Sequence, residues 1–418
     1  MIVAGEASGD MHAAQVVEAL HASLPSLRFT GVGGERMAKA GVSLFANITE
    51  LAVIGFVEVI KNYGRIKKVF NQVLAEVDRS KPDAVILVDY PGFNLRLARK
   101  LKEKKIKVIY YISPQVWAWK EKRVKTIKEV VDKMLVLFSF EQEFYKKHKM
   151  DVEYVGHPLI DEVRVTRKAG DVLISLGLDP NKPTIGLLPG SREKEVERHL
   201  PVMIKAAELL YKKDNNRQFI LLKAPTISSK LIERYLKKSE IRNSKFETNS
   251  NDPNVFNLKH SNLDIVSNFP GLSSARARTG DIRTSNFIKV VSNHSYNVLN
   301  AMTACMVASG TATLETAILK KPMVIIYKTS WVTYALAKIF VKIPNIGLAN
   351  IVAGKKIVPE LIQNNANPVK IAAEMEKLLS DPKEINRIQK ELSKIHGWLG
   401  DPGASRRAAK IIIKELTT

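Results

Sequence analysis

The chain has 418 residues, 45% of them hydrophobic and 26% charged, which exclude a mini-protein, a disordered chain and a multispanning membrane protein and predict two domains with cores of their own. Sixty-five Lys+Arg against 42 Asp+Glu leave a net charge of +23, a field that attracts phosphates, nucleic acid or an anionic lipid surface. The single cysteine, Cys305, excludes an intrachain disulfide and a multi-thiolate metal site and fits a reducing, cytoplasmic compartment.

Short β-branched runs alternate with helical patterns along the chain, the mark of βαβ units and a mostly parallel sheet. Strands are predicted at 2–4, 28–32, 84–89, 108–112, 134–138 and 153–155. After a linker near 157–180 they restart at 184–188, 219–222, 287–291, 306–309 and 323–327. The expected fold is α/β, with Rossmann-like domains at 1–165 and 166–400 facing each other across a cleft and a C-terminal helix at 401–418. Ligands of such sheets bind at the carboxyl ends of the strands. Residues 239–288 break the pattern, since 16 of these 50 positions are Asn or Ser, and they read as a surface insertion. No apolar run approaches the ~20 residues that cross a bilayer. The opening MIVAGEASGD has no basic n-region and carries Glu6 and Asp10, so it does not read as an export signal; it begins almost inside a strand, as if a few leading residues were missing.

Four strand-to-helix turns carry candidate chemistry. Gly5-Glu6-Ala7-Ser8-Gly9-Asp10 follows the first strand, so its backbone N–H groups and the helix dipole can face an anion; Ser8 or Asp10 as a helix cap explains it equally well. Asp89 ends the apolar run Ala84-Val85-Ile86-Leu87-Val88, a position for a general base, with helix capping as the competing explanation. Leu187-Leu188-Pro189-Gly190-Ser191-Arg192 precedes a helix, and there backbone donors, the Ser191 hydroxyl and the Arg192 guanidinium can hold a diphosphate; a surface ion pair is the alternative for Arg192. Ser309-Gly310-Thr311 is a similar small-residue turn, and Glu315 one helical turn on can accept from vicinal sugar hydroxyls or be an ordinary solvated carboxylate.

The sequence contains no H-E-x-x-H, C-x-x-C, G-x-S-x-G, Walker or D-x-D pattern, which points to metal-free chemistry. His157, in Gly156-His157-Pro158, reads as structural. Basic residues crowd positions 96–107 and 120–128. The apolar stretch 51–57 is followed by Lys61, Arg65, Lys67 and Lys68, while Trp331, Tyr334, Ile339 and Phe340 lie beside Lys338 and Lys342. Both apolar segments suit either a bilayer interface or a core.

Together the motifs VAGEASGD (3–10), ELAVIGFVEV (50–59), VDYPGFN (88–94), YISPQVWAWKEKRV (111–124), GHPL (156–159), LLPGSREKEV (187–196), ASGTATLE (308–315), KPMVIIY (321–327) and NIVAGKKIVPELIQ (350–363) resemble the lipid A disaccharide synthase family, glycosyltransferases of the GT-B type, over nearly the whole chain. The resemblance implies transfer of a 2,3-diacylglucosaminyl group from its UDP derivative to 2,3-diacylglucosamine 1-phosphate, releasing UDP, with no cofactor. It implies Asp89 as base for the acceptor 6-hydroxyl and Arg192 as the group that stabilises departing UDP. By the same resemblance Glu315 and Asn350 match positions associated with the nucleotide and Ser8 a polar position of the first loop, while Gly190, Ser191, Ser309, Gly310 and Thr311 are substrate-binding candidates from the turns themselves. Two departures stand out: Ala349 replaces the usual Pro, and the 239–288 insertion has no counterpart.

The expected setting is the inner face of the cytoplasmic membrane, where the basic excess meets an anionic surface and acylated, phosphorylated substrates. A homo-oligomer is compatible with the sequence. The alternative enzymes are another GT-B UDP-sugar enzyme, namely a cell-wall N-acetylglucosaminyltransferase or a UDP-sugar epimerase. A nucleic-acid partner is not expected, because no aromatic RNA-binding motif, zinc finger or basic zipper accompanies the charge.

Overall fold

Burial on both faces explains why the strands are nearly unbroken apolar runs. Ala84–Val88, Thr184–Leu188 and Ala304–Ala308 are buried at every position, as strands of a parallel sheet covered by helices on both sides must be. The computed structural model describes residues 1–47, 63–119, 121–237, 283–284, 287–292, 296–340 and 343–417. Its chain divides into two compact units: Met1–Val163 with Ala335–Pro344 and Lys394–Thr418, and Arg164–Tyr334 with Asn345–Ser393.

The first unit holds β1 (Ile2–Ala4), β2 (Phe29–Gly33), β3 (Val42–Asn47), β4 (Ala84–Val88), β5 (Lys107–Tyr111), β6 (Lys133–Val136) and β7 (Glu153–Tyr154). They form one parallel sheet in the order β3-β2-β1-β4-β5-β6-β7. The chain winds outward one way from β1 and the other way from β4, so the strand order reverses between these two neighbours. In the second unit β8 (Thr184–Leu188), β9 (Gln218–Lys223), β10 (Arg283–Thr284), β11 (Ile288–Ser292), β12 (Ala304–Ala308), β13 (Met323–Tyr327) and β14 (Glu360–Ile362) run in the order β10-β11-β9-β8-β12-β13-β14. All pairs are parallel except β10 with β11, and the reversal lies between β8 and β12. Both sheets are doubly wound, the Rossmann arrangement.

The predicted strands are present within a residue or two. Three strands were not expected: β3, β10 and β14 are sheet-edge strands, and β3 and β14 are only partly buried, so none shows the continuous apolar run of the interior. β10 falls inside 239–288, where no regular element was expected before the strand at 287–291; residues 239–282, 285 and 286 of that insertion lie outside the described residues. The first boundary falls at 163/164. The C-terminal helix does not stand apart, as a 401–418 segment implied, but returns to the first unit, where the Ala404–Thr417 helix packs along the Ala7–Ser23 helix. The Asp161 carboxylate accepts from Gly403 N at 2.8 Å and Ala404 N at 3.3 Å, capping that last helix.

Candidate active site

All four candidate turns leave the carboxyl ends of the strands at which the order reverses: β1 and β4 in one unit, β8 and β12 in the other. This is the position at which open α/β sheets take ligands.

In the first unit the β1 turn leads into Ala7–Ser23, whose N-cap position is Glu6 with extended backbone and no side-chain cap bond. Neither Ser8 nor Asp10 caps this helix. Ser8 lies half-buried in its first turn, whereas the buried Asp10 carboxylate accepts from Gly34 N (2.6 Å), Arg36 N (3.2 Å) and Met37 N (3.2 Å), capping the Glu35–Lys39 helix that follows β2. Gly5 is needed because a Cβ there would fall 2.4 Å from the Tyr90 ring, so the β1 and β4 turns touch through this pair.

Asp89 and Tyr90 both adopt left-handed backbone, φ +48° and +45°, which costs non-glycine residues about 1–3 kcal/mol each. The surroundings hold them there. Asp89 N donates to Tyr111 O at 3.0 Å, and the Asp89 carbonyl accepts from Asn94 Nδ2 at 2.8 Å and from the Tyr110 hydroxyl at 2.5 Å. Asn94 also donates to Val88 O at 3.2 Å, and both Asn94 and Tyr110 are fully buried. Burial first, and the charge of Asp89 second, push the Tyr110 hydroxyl well above its usual pKa, so it stays a donor. Tyr90 takes the N-cap position of Pro91–Glu103, and Asp89 stands one residue ahead of it, half-buried at the strand end.

In the second unit Arg192 is the N-cap residue of the Glu193–Lys213 helix. Gly190 has φ +119°, and a Cβ on it would meet the Glu195 carboxylate at 2.8 Å. That carboxylate accepts from Ser191 N at 3.3 Å and pairs with Arg192 at 3.0 Å, so the ion pair is present in the turn suited to an anion. Glu195 was missed in the sequence; its spacing of three from Arg192 at a helix start is the signal that marks it. The Thr226 hydroxyl donates to Ser191 O at 2.5 Å.

At the β12 turn Ser309 N donates to Ile326 O at 3.0 Å and its hydroxyl to Ile346 O at 3.1 Å. Gly310 is the N-cap residue of Thr311–Ile318 with φ +156°, and nothing lies within 4 Å of a Cβ built on it, which leaves room for a ligand against the backbone. Thr311 is exposed, and Glu315 is half-buried a turn further on.

Asn350 departs from the expected nucleotide contact. Its fully buried amide donates to Val358 O (2.9 Å) and Glu360 Oε1 (2.8 Å) and accepts from Ile357 N (2.8 Å) and Val358 N (3.0 Å), so both donors and both acceptor positions are spent inside the protein. Glu360, also missed, accepts from Ile346 N (2.9 Å) and Gly347 N (3.0 Å). Asn350 and Glu360 thus order the segment to which Ser309 is tied. His157 is structural: buried and accepting from Leu159 N at 3.2 Å, it is held neutral, its pKa lowered to about 3 by burial and by His12 alongside.

Two doubly wound sheets with glycine-containing turns at both reversal points are those of the GT-B fold class, and solved structures share that fold. An S. aureus MnaA–UDP co-structure superposes with a TM-score of 0.63 at 10% identity, covering 100% of this chain and 96% of that one. The glycosyltransferase of kitacinnamycin gives 0.57 at 13% identity over 99% and 98%. The family model described as lipid-A-disaccharide synthetase matches residues 1–267 and 272–412. Lipid-A-disaccharide synthase from Syntrophus aciditrophicus is 41% identical over 409 residues, 98% of this chain and 95% of that protein, and the Geobacter sulfurreducens protein of the same name is 39% identical over 417 residues, 100% and 97%. The chain belongs to the lipid-A-disaccharide synthase family of glycosyltransferases.

Proposed function

We propose that the chain condenses UDP-2,3-diacylglucosamine with 2,3-diacylglucosamine 1-phosphate by an inverting single displacement. Asp89 accepts the proton of the acceptor 6-hydroxyl while that oxygen forms a bond to the anomeric carbon. The bond from that carbon to the UDP oxygen breaks, and its electron pair leaves with UDP. Arg192, the Ser191 N–H and the helix N-terminus beside them offset the charge of the diphosphate, with the β12 turn Ser309-Gly310-Thr311 and Glu315 on the nucleotide side. In this reading the first unit takes the acceptor and the second the donor, and the chemistry needs no cofactor. The observation that carries it is that all four candidate turns lie at the reversal points, with Asp89 in a clamped, strained backbone.

The basic excess supports a peripheral position on the inner face of the cytoplasmic membrane. Arg96, Arg99 and Lys100 are exposed on Pro91–Glu103, and Lys125 and Lys128 on the neighbouring Arg123–Val130 helix. Trp331 is 61% exposed, and no described helix is long and apolar enough to cross a membrane. The stretch 51–57 lies outside the described residues. Incubation with the two acylated substrates, read by mass spectrometry, should give a tetra-acyl disaccharide 1-phosphate and UDP. Turnover of unacylated UDP-N-acetylglucosamine instead would favour an epimerase or a cell-wall transferase.

A further inference from the structure

His199 lies on the Glu193–Lys213 helix, 1% exposed, and both its ring nitrogens are engaged. Nε2 is 2.9 Å from Lys328 N, an N–H that can only donate, so Nε2 accepts and the proton sits on Nδ1. Nδ1 lies 3.1 Å from the carbonyl of Pro189, the residue immediately before Gly190-Ser191-Arg192. Burial lowers the pKa of the ring and keeps it neutral, with Glu195, Arg198 and Lys328 the charged groups around it. The second bond leads to a rigid block. Lys328 Nζ donates to the carbonyls of Gln363 (3.1 Å) and Ala366 (3.3 Å), and the Gln363 side chain pairs with both backbone groups of Thr329 (2.8 and 3.1 Å).

We propose that neutral His199 is a positioning residue: through its single tautomer it holds the Pro189 carbonyl, and with it the Gly190–Arg192 turn, against the β13 end at Lys328, setting the turn for a nucleoside diphosphate. A carbonyl fixed from the protein side leaves the following N–H groups and the Arg192 side chain directed by the remaining turn geometry, here the left-handed Gly190. The inference rests on the reading of that turn as the diphosphate site.

The two bonds can be removed one at a time. His199→Asn places an amide N–H where Nδ1 is and keeps the Pro189 bond; His199→Gln places an amide oxygen where Nε2 is and keeps the Lys328 bond. Hydrogen exchange of the unliganded protein, read by mass spectrometry, should rise in the peptide containing 189–195 for His199→Gln and in the peptide containing 328–330 for His199→Asn. UDP titration should then show His199→Asn within about 2-fold of the unsubstituted protein and His199→Gln weaker by at least about 10-fold, a difference of ~1.4 kcal/mol. Equal exchange at 189–195 in both variants, or UDP affinity that tracks thermal stability alone, would overturn the proposal. If exchange responds as stated but neither the unsubstituted protein nor Arg192→Ala distinguishes UDP from buffer, the positioning stands and the diphosphate reading fails. If both variants lose the fold, His199 is a core residue and the proposal is overturned.

Discussion

Asn94 reaches back along the first turn of its helix and donates to the main-chain carbonyl of Asp89 at 2.8 Å, so a buried amide fixes the backbone of the residue proposed to take the acceptor proton. Asp89→Asn keeps the size of the side chain and leaves this backbone bond intact but removes the basic oxygen. General bases contribute about 10²–10⁴-fold, so turnover should fall by at least the lower figure at every pH, with folding and UDP affinity unchanged. Pre-steady-state turnover equal to the unsubstituted protein would rule out Asp89 as base.

Arg192→Ala is expected to reduce turnover by orders of magnitude, since one electrostatic donor to a developing charge is worth about 3–4 kcal/mol. Glu195→Gln should do the opposite to UDP affinity. It keeps an oxygen for Ser191 N but removes the charge that pairs with Arg192, and an exposed pair is worth about 0.2–1 kcal/mol, so UDP should bind up to about 5-fold more tightly. Weaker UDP binding in that variant would show that the carboxylate supports the guanidinium rather than competing for it.

Asn350→Ala is expected to act on stability. It strands the Val358 carbonyl and the N–H groups of Ile357 and Val358, at about 1–3 kcal/mol for each buried group left unpaired, and urea titration should show a lowered midpoint. UDP affinity lost without loss of stability would restore Asn350 as a ligand contact.

His12 and His157 set an acid limit. Burial, partly offset by Gln15, lowers His12 to about 4, and burial with the neighbouring His12 lowers His157 to about 3. Unfolded rings protonate near 6.5, so the unfolded chain binds more protons below that pH. Stability from these groups is therefore intact above about 6.5 and declines as pH falls toward the folded values, by up to ~1.4 kcal/mol per pH unit per ring. Denaturant midpoints at pH 7, 6, 5 and 4 measure the slope, and His157→Asn should flatten it by one proton's worth; an unchanged slope would mean that His157 is already charged in the fold.

Vesicles containing anionic phospholipid should retain the protein at low salt and release part of it as salt rises, because a field from exposed charges is screened within about 10 Å at 0.1 M. Trp331→Ser, at a position already open to water, should reduce retention without changing thermal stability. Retention indifferent to both salt and Trp331 would argue against a surface-bound enzyme.

The doubly wound halves were legible because interior strands such as Ala84–Val88 are written as uninterrupted apolar runs. The turns were legible because each follows such a run at a fixed offset. What escaped was decided by partners distant in sequence. Asp10 looks like a cap for its own helix and caps another 24 residues on; Asn350 looks like a ligand contact and is consumed by residues 357–360. The edge strands β3 and β14 lack the double-sided burial that makes a strand recognisable, and Glu195 and Glu360 resemble ordinary charged residues until the folded turns bring N–H groups to them.

Because residues 394–418 belong with the first 163, the ribosome finishes the second unit before it releases the piece that completes the first. The groove beside the Ala7–Ser23 helix and the Asp161 carboxylate wait for Gly403 and the final helix, so the nascent first unit spends most of translation with an apolar flank uncovered. At 5–20 residues per second, roughly 230 intervening residues amount to about 10–50 s of exposure. Deletion of residues 403–418 should therefore injure the unit made earliest, with a loss of protection in the Ala7–Ser23 helix.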